Sequence, residues 1–232
     1  MQTEQQQTKM KVLIVFAHPD KQSLNHSLLE VTTNYLKEKN HEVKVTDLYA
    51  QNFKAGVDGD DFLNHEQGKR LFLMRDGGSA YNEGKLSPDI MEEQAKLDWA
   101  DLVIFQFPMW WYSMPALMKG WIDRVLTQNF SYTGEKMFET APLAGKKAFI
   151  ISTVGVPKES YSKGKLGSIG EVFFPIQHGT FELIGFKVLE PIIGYSADSR
   201  YSNCFEITSK AIKERIDNID TIEPMKAQSS YN

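Results

Sequence analysis

Hydrophobic positions fall in short, regularly spaced blocks along this chain. Residues 11–17 (KVLIVFA) form an unbroken apolar, β-branched run, the pattern of a central parallel strand buried on both faces. Residues 101–107 (DLVIFQF) and 147–153 (KAFIIST) repeat it. Between these blocks the spacing turns helical. Residues 23–39 carry Leu28, Leu29, Val31, Tyr35 and Leu36 at near-helical intervals, and residues 115–127 set Leu117, Met118, Trp121, Ile122 and Val125 on one broad face. Ser87-Pro88-Asp89 combines a cap, a proline in the first turn and an early acid, and starts a helix that runs to about Trp99. Residues 42–47 (EVKVTD) alternate and read as a more exposed strand. A helix over 168–184, a strand over 186–195 and an amphipathic helix over 199–219 complete the series.

Five strands alternating with helices predict an α/β fold, a doubly wound five-stranded parallel sheet with helices on both faces. The flavodoxin-like order 2-1-3-4-5 fits best, because the first strand is the most apolar and the next has a peripheral pattern. Two segments break the rhythm. Residues 51–86, rich in Gly, Asp and Asn, and residues 128–144 are too long for plain connections, and such excursions are usually functional or interfacial. Residues 1–9 are expected to be a disordered tail, and residues 10–232 a single domain.

Composition narrows the setting. The net charge of −4, from 26 basic and 30 acidic residues with no basic stripe, argues against a nucleic-acid partner. A single cysteine, Cys204, excludes an intramolecular disulfide and a Cys-rich metal site, so no metal is expected and a reducing compartment fits. The first residues lack the apolar core of a secretory signal, and no apolar run approaches the roughly 18–20 residues that span a bilayer. A cytoplasmic protein without direct membrane insertion is expected.

The chemistry concentrates where strands hand over to helices. Pro108-Met109-Trp110-Trp111-Tyr112 follows the third strand, at the carboxyl edge where open α/β sheets bind ligands. Flat aromatic walls there suit a flat ring system, though aromatics also cap cores. The loop after the first strand, AHPDKQSLN, offers His18, Ser23 and Asn25 beside a helix start, a natural phosphate site. Taken by itself, Ser23 reads more readily as a simple helix cap. Neither a G-x-G-x-x-G nor a G-x-x-x-x-G-K-[ST] loop is present. The fourth strand ends in Ser152-Thr153-Val154-Gly155, small residues whose backbone amides could approach a ring edge or merely form a turn.

The stretches KVLIVFAHPDKQSLN, VTDLYAQNF, LSPDIMEEQAKLDWADLVIFQFPMWWYSMPALMKGWIDRVL and PIQHGTFELIGFKVLEP, spread from Val12 to about Pro224, resemble the NAD(P)H:quinone oxidoreductase family. The resemblance implies a homodimer that binds FAD and uses NADH or NADPH to reduce a small quinone, at sites formed across the subunit interface. It further implies that His18, Ser23 and Asn25 hold the FAD diphosphate and that Leu24 stands in for an aromatic beside the ribityl chain. Pro108, Met109, Trp110 and Trp111 would line the isoalloxazine with Tyr112 beside them, and Asp123 would lie near the adenine. Ser152, Thr153, Val154 and Gly155 match a Thr-Thr-Gly-Gly loop, with Val154 a departure. Tyr132 matches a pocket tyrosine, while Gly134 replaces a second aromatic. Tyr161 matches the tyrosine of a Tyr-His pair over the flavin, with Leu166 at the histidine position. The chain also stops short of the extension that longer members use against NAD(P)H, as do members that accept simpler dihydronicotinamides. Competing readings are a flavodoxin-like electron carrier, disfavoured by the His-Pro-Asp loop and the mild charge, and an accessory flavoprotein of a membrane transporter.

Overall fold

A computed structural model describes residues 8–162 and 165–225. Most of the expected tail and the last residues of the expected domain, 226–232, lie outside the described residues. Strand β1 (Lys11–Phe16) runs between β2 (Glu42–Asp47) and β3 (Leu102–Pro108), all parallel. Beyond β3 comes β4 (Lys147–Thr153), and on its far side two short pieces, β5 (Lys187–Val188) and β6 (Ile192–Gly194), pair with it in succession. The order β2-β1-β3-β4-β5 is the one expected from the sequence. The strand expected over 186–195 is corrected to two pieces, because Pro191 between them has no N–H to give the ladder.

Burial on both faces is visible residue by residue. Along β1, Leu13 and Val15 join one hydrophobic core while Val12, Ile14 and Phe16 join the other. On β3, Val103, Phe105 and Phe107 face the first core, and Leu102 and Ile104 the second. Helices α1 (Leu24–Glu38) and α7 (Cys204–Asp217) cover the second core through Leu28, Leu36, Ile212 and Ile216. The opposite face is covered by α3 (Pro88–Trp99), α4 (Ala116–Val125) and α6 (Ile169–Ile176), through Leu97, Trp121 and Phe173 among others. The helix expected over 168–184 changes pitch. Pro175 removes one backbone donor, and a π-helical turn follows over Gln177–Glu182.

The two insertions fold onto each other. Residues 51–86 contain a helix, α2 (Leu73–Glu83), that the sequence pattern did not announce. Gly77 and Gly78 let it press close: a Cβ on Gly78 would come within 3.1 Å of the Asn129 side chain, whose Nδ2 donates to the Gly78 carbonyl at 3.2 Å. The rings of Tyr81 and Phe130 also meet, with centroids 5.6 Å apart. Arg124, buried on α4, ties the first insertion down. Its guanidinium bonds Asp61 at 2.8 Å and Asp89 at 2.7 Å, donates to the Lys54 carbonyl at 3.1 Å, and lies over the Phe53 ring.

Candidate active site

The ends of β1, β3 and β4 are bound into one rim by buried polar groups. Asn25, in the first turn of α1, donates from Nδ2 to Thr153 Oγ1 at 2.7 Å and accepts at its backbone oxygen from Gln106 Nε2 at 2.9 Å. Gln106 lies fully buried in β3, and its carbonyl accepts from Ala17 N–H at 3.1 Å. The Met109 N–H donates to the Thr153 carbonyl at 2.9 Å. Sequence reasoning missed Gln106, although a lone amide inside the run DLVIFQF was the available signal. Two buried oxygens on this rim, Asn25 Oδ1 and Ser152 Oγ, have no hydrogen-bond partner within the protein. An unmade bond of that kind costs about 1–3 kcal/mol; three more such atoms, on Thr33, His41 and Ser209, lie away from the rim.

The first loop is organised by its own side chains. Ser23 caps α1, accepting from His26 N–H at 3.2 Å and donating to the Asp20 carbonyl at 2.6 Å. Its hydroxyl is therefore committed to the cap. His18 Nδ1 lies 3.0 Å from the Asp20 N–H and 3.1 Å from the Asp20 carbonyl, so it can accept from the one or donate to the other, with Nε2 taking the complementary role. The His18 ring tilts toward Trp110 with centroids 6.1 Å apart. Leu24 is half-buried at the start of α1 and packs onto the core beneath.

After the buried end of β3 at Pro108, the chain makes a tight hairpin closed by two backbone bonds, Trp110 N–H to Ser113 carbonyl at 2.9 Å and the reverse at 3.0 Å. Its central residues, Trp111 and Tyr112, have φ of 50° and 62°. Turns with both central residues left-handed favour Asn and Gly, and each L residue so placed costs roughly 1–2 kcal/mol. Trp111, 99% exposed, is not held there by packing within the chain, while Tyr112 is half-exposed and meets the Tyr161 ring. Strain of this kind clusters at ligand clamps and active sites.

The loop after β4 corrects one expectation. The Val154 N–H is already bonded to the Gly194 carbonyl at 2.9 Å, so it is not free for a ring edge. Val154 is buried and adopts no left-handed conformation, so valine fits where the resemblance has glycine. Gly155 is exposed, and a Cβ there would meet only the end of the Asp198 side chain, which can swing aside.

Tyr161, on the short helix α5 (Glu159–Ser162), is only 6% exposed. Its ring stands between Tyr112, at 6.5 Å, and Tyr195, at 6.3 Å. Burial, reinforced by the two neighbouring phenols, pushes its pKa up, which keeps the hydroxyl protonated and able to donate. Tyr195, just past β6, was not singled out from the sequence. Its place at the site is visible only once β6 is known to end at the same rim. Leu166 lies half-buried in a turn beyond residues 163–164, which are outside the described range. Two expected residues do not join the cluster. Asp123 lies on an exposed face of α4, paired with Lys119 at 2.6 Å. Tyr132, whose phenol is raised by burial, sits in the second insertion and makes no ring contact with Tyr112, Tyr161 or Tyr195 among the described residues.

A family profile described as a flavodoxin-like fold matches residues 10–216. The chain is similar to a ribosyldihydronicotinamide dehydrogenase-like protein of Penicillium crustosum, 42% identical over 93% of this chain and 83% of that one. It is also similar to the NAD(P)H dehydrogenase [quinone] 1 of Rattus norvegicus, 41% identical over 80% of this chain and 69% of that one. A candidate quinone reductase from Klebsiella pneumoniae superposes with a TM-score of 0.89 at 43% identity, covering 93% of this chain and 87% of its own. The fold alone is shared with the general stress protein 14 of Treponema denticola, solved in complex with FMN, at a TM-score of 0.63, 21% identity, and coverage of 90% of this chain and 99% of its own. With this fold, a rim of these residues and relatives at this identity over most of their length, the chain belongs to the NAD(P)H:quinone oxidoreductase family.

Proposed function

We propose that this protein is an FAD-dependent homodimeric enzyme that reduces quinones by two electrons, with NADH, NADPH or a simpler dihydronicotinamide as donor. The single observation that carries this reading is the Trp110–Ser113 hairpin, which holds two aromatic residues in a strained turn beside two unpartnered buried oxygens. The residues present fit a flavin. Trp110, Trp111 and Tyr112 supply flat apolar walls, with Pro108 and Met109 at their base. Asn25 Oδ1, Ser152 Oγ and His18 Nε2 supply polar contacts, and the Gly155 amide follows on the same edge. When bound, the flavin would take a hydride from the donor and pass two electrons to the acceptor.

The chain's own groups set the conditions for that exchange. Tyr161 keeps a protonated hydroxyl beside the place where negative charge develops on an oxygen, and Leu166 has no hydrogen to donate. The buried ring of Tyr161, with Tyr112 against it, excludes water from that side. Donor and acceptor would occupy the same slot in turn, which gives ping-pong kinetics. Exposed Leu63, Phe72, Leu73 and Met74 on the first insertion supply an apolar surface for a second copy. Dimerisation would bring Tyr132 and Asp123 of one protomer to the other's rim. Among the described residues no helix is long and apolar enough to cross a membrane, and the reading includes a cytoplasmic setting.

The test is to release the cofactor by heat, identify it by chromatography, and measure steady-state kinetics with menadione. FAD at about one per chain and parallel double-reciprocal lines are expected. Released FMN would overturn the cofactor, and intersecting lines the shared slot. No turnover with any quinone would favour the electron-carrier or accessory reading.

A further inference from the structure

Beside the tyrosines the rim opens into a groove of about 780 Å³ along the outer edge of β6. β6 pairs with β4 on one side and with no further strand among the described residues. At this edge the two hydrophobic cores, one from each face of the sheet, reach the surface together. Ile169 and Ile193 pack on the first core, Ala211 and Ile222 on the second, and all four are half-buried in the groove wall. Tyr195 forms the mouth, because its ring lines the groove and also stands 6.3 Å from the ring of Tyr161. A molecule at Tyr161 therefore has an open groove leading away from it, apolar at Ile169, Ile193, Ala211 and Ile222 and polar at Asn218, Thr221 and four charged residues.

The charge pattern decides what that groove suits. Lys158 and Arg215 are offset by Glu190 and Glu214, and Arg215 is turned onto the Glu190 carbonyl. A phosphate-bearing tail wants a surplus of cations with free donors, which this groove lacks. A hydrocarbon chain needs no such partners and gains with each methylene removed from water.

We propose that the groove seats the hydrocarbon side chain of the quinone acceptor while its ring lies at Tyr161. The substrate class is then quinones bearing a prenyl or alkyl chain. This inference rests on the quinone reductase reading and specifies its substrate.

The experiment compares kcat/KM of the flavin-loaded enzyme for menadione and for the same naphthoquinone ring carrying two isoprene units. The parent is measured beside Ala211→Arg, which fills the groove from α7, and Ile222→Asn, which makes its far wall polar. The parent is expected to prefer the tailed quinone by at least about tenfold, the scale of small apolar differences in a pocket. Both variants are expected to lose most of that preference while menadione turnover stays within about twofold. A parent without preference, or variants that keep it, would overturn the groove assignment and leave quinone reduction standing. So would a rise in the NADPH KM in Ala211→Arg with the tail preference intact, which would give the groove to the donor. Failure of the parent to reduce either quinone would instead overturn the quinone reductase reading, and this inference with it. Ile222→Asn adds no bulk and carries the test if Ala211→Arg does not fold.

Discussion

The Arg124 cluster and the Trp110–Ser113 hairpin lie at opposite ends of one scale. Around Arg124 a buried cation has two carboxylates, a carbonyl and a ring face, so its bonding is complete. At the hairpin the backbone is strained, Trp111 projects into solvent, and nearby Asn25 Oδ1 and Ser152 Oγ are buried without partners. Both regions carry chemically expressive residues in connections of the same sheet. The difference teaches how to read them: satisfied groups hold the fold, and unsatisfied ones on a strained frame mark where the proposed flavin would bind.

The largest effect is expected from Arg124→Ala. It takes the guanidinium from the buried Asp61 carboxylate, which keeps Lys54 at 3.0 Å and the Asp58 N–H at 3.1 Å, so the loss is expected below the roughly 3–5 kcal/mol of a buried charge left with no partner. Urea unfolding would read this loss; a change below about 1 kcal/mol, the scale of a surface pair, would deny the cluster its structural role. The converse holds at the hairpin. Trp111→Gly is expected to leave the flavin-free protein as stable or more stable, by about 1 kcal/mol from relieved strain. The same change should weaken flavin binding by about 2 kcal/mol, roughly thirtyfold in Kd. A variant that loses stability and keeps its flavin would turn the hairpin into ordinary scaffold.

A smaller effect is expected at Tyr161. Removing its hydroxyl in Tyr161→Phe should slow flavin reduction about tenfold, below the range for a fully preorganised oxyanion donor. Rapid mixing under anaerobic conditions gives the rate, and a rate within about twofold of the parent would remove Tyr161 from the mechanism. Leu166→His should raise that rate; no change would separate Leu166 from the histidine position the resemblance gives it. The smallest effect concerns acid. Burial works to raise the Asp89 carboxyl, but the Arg124 guanidinium and the Ser87 hydroxyl outweigh it and hold the pKa below its ordinary value. A folded pKa below the unfolded one stabilises the fold above the unfolded value and is lost as pH falls through the folded value. Thermal stability should therefore drop on acidification below about pH 4, and the drop should be shallower in Asp89→Asn. Equal slopes in parent and variant would remove Asp89 from the acid response.

Legibility in the sequence followed burial. The runs in β1, β3 and β4 were readable because strands covered on both faces are apolar throughout, and the loops between them located the rim. Helix α2 was not readable: LMRDGGSAYNE has two central glycines, its buried face is Gly77, Gly78 and Ala80 instead of large apolar residues, and it packs closely against Phe62 and Asn129. The break at Pro191 was present in the sequence but outweighed by the apolar residues around it. At the site, the aromatic trio was legible as residue types, whereas the left-handed turn that presents it was not, since Trp and Tyr carry no signal for that conformation. Tyr195 escaped notice because it becomes a neighbour of Tyr161 only when β6 and β4 end at one edge. Asp123 and Tyr132 came from the resemblance alone, and the structure leaves them apart from the rim.

The central claim is that this rim holds a flavin that accepts electrons from a dihydronicotinamide and hands them to a quinone. Anaerobic mixing of the purified yellow protein with one equivalent of NADPH, or of a simpler dihydronicotinamide, tests it most directly. The account predicts that the flavin absorbance bleaches and that one equivalent of menadione, added without oxygen, restores it in full. No bleaching with any dihydronicotinamide, or a bleached protein that menadione leaves unchanged, would contradict it.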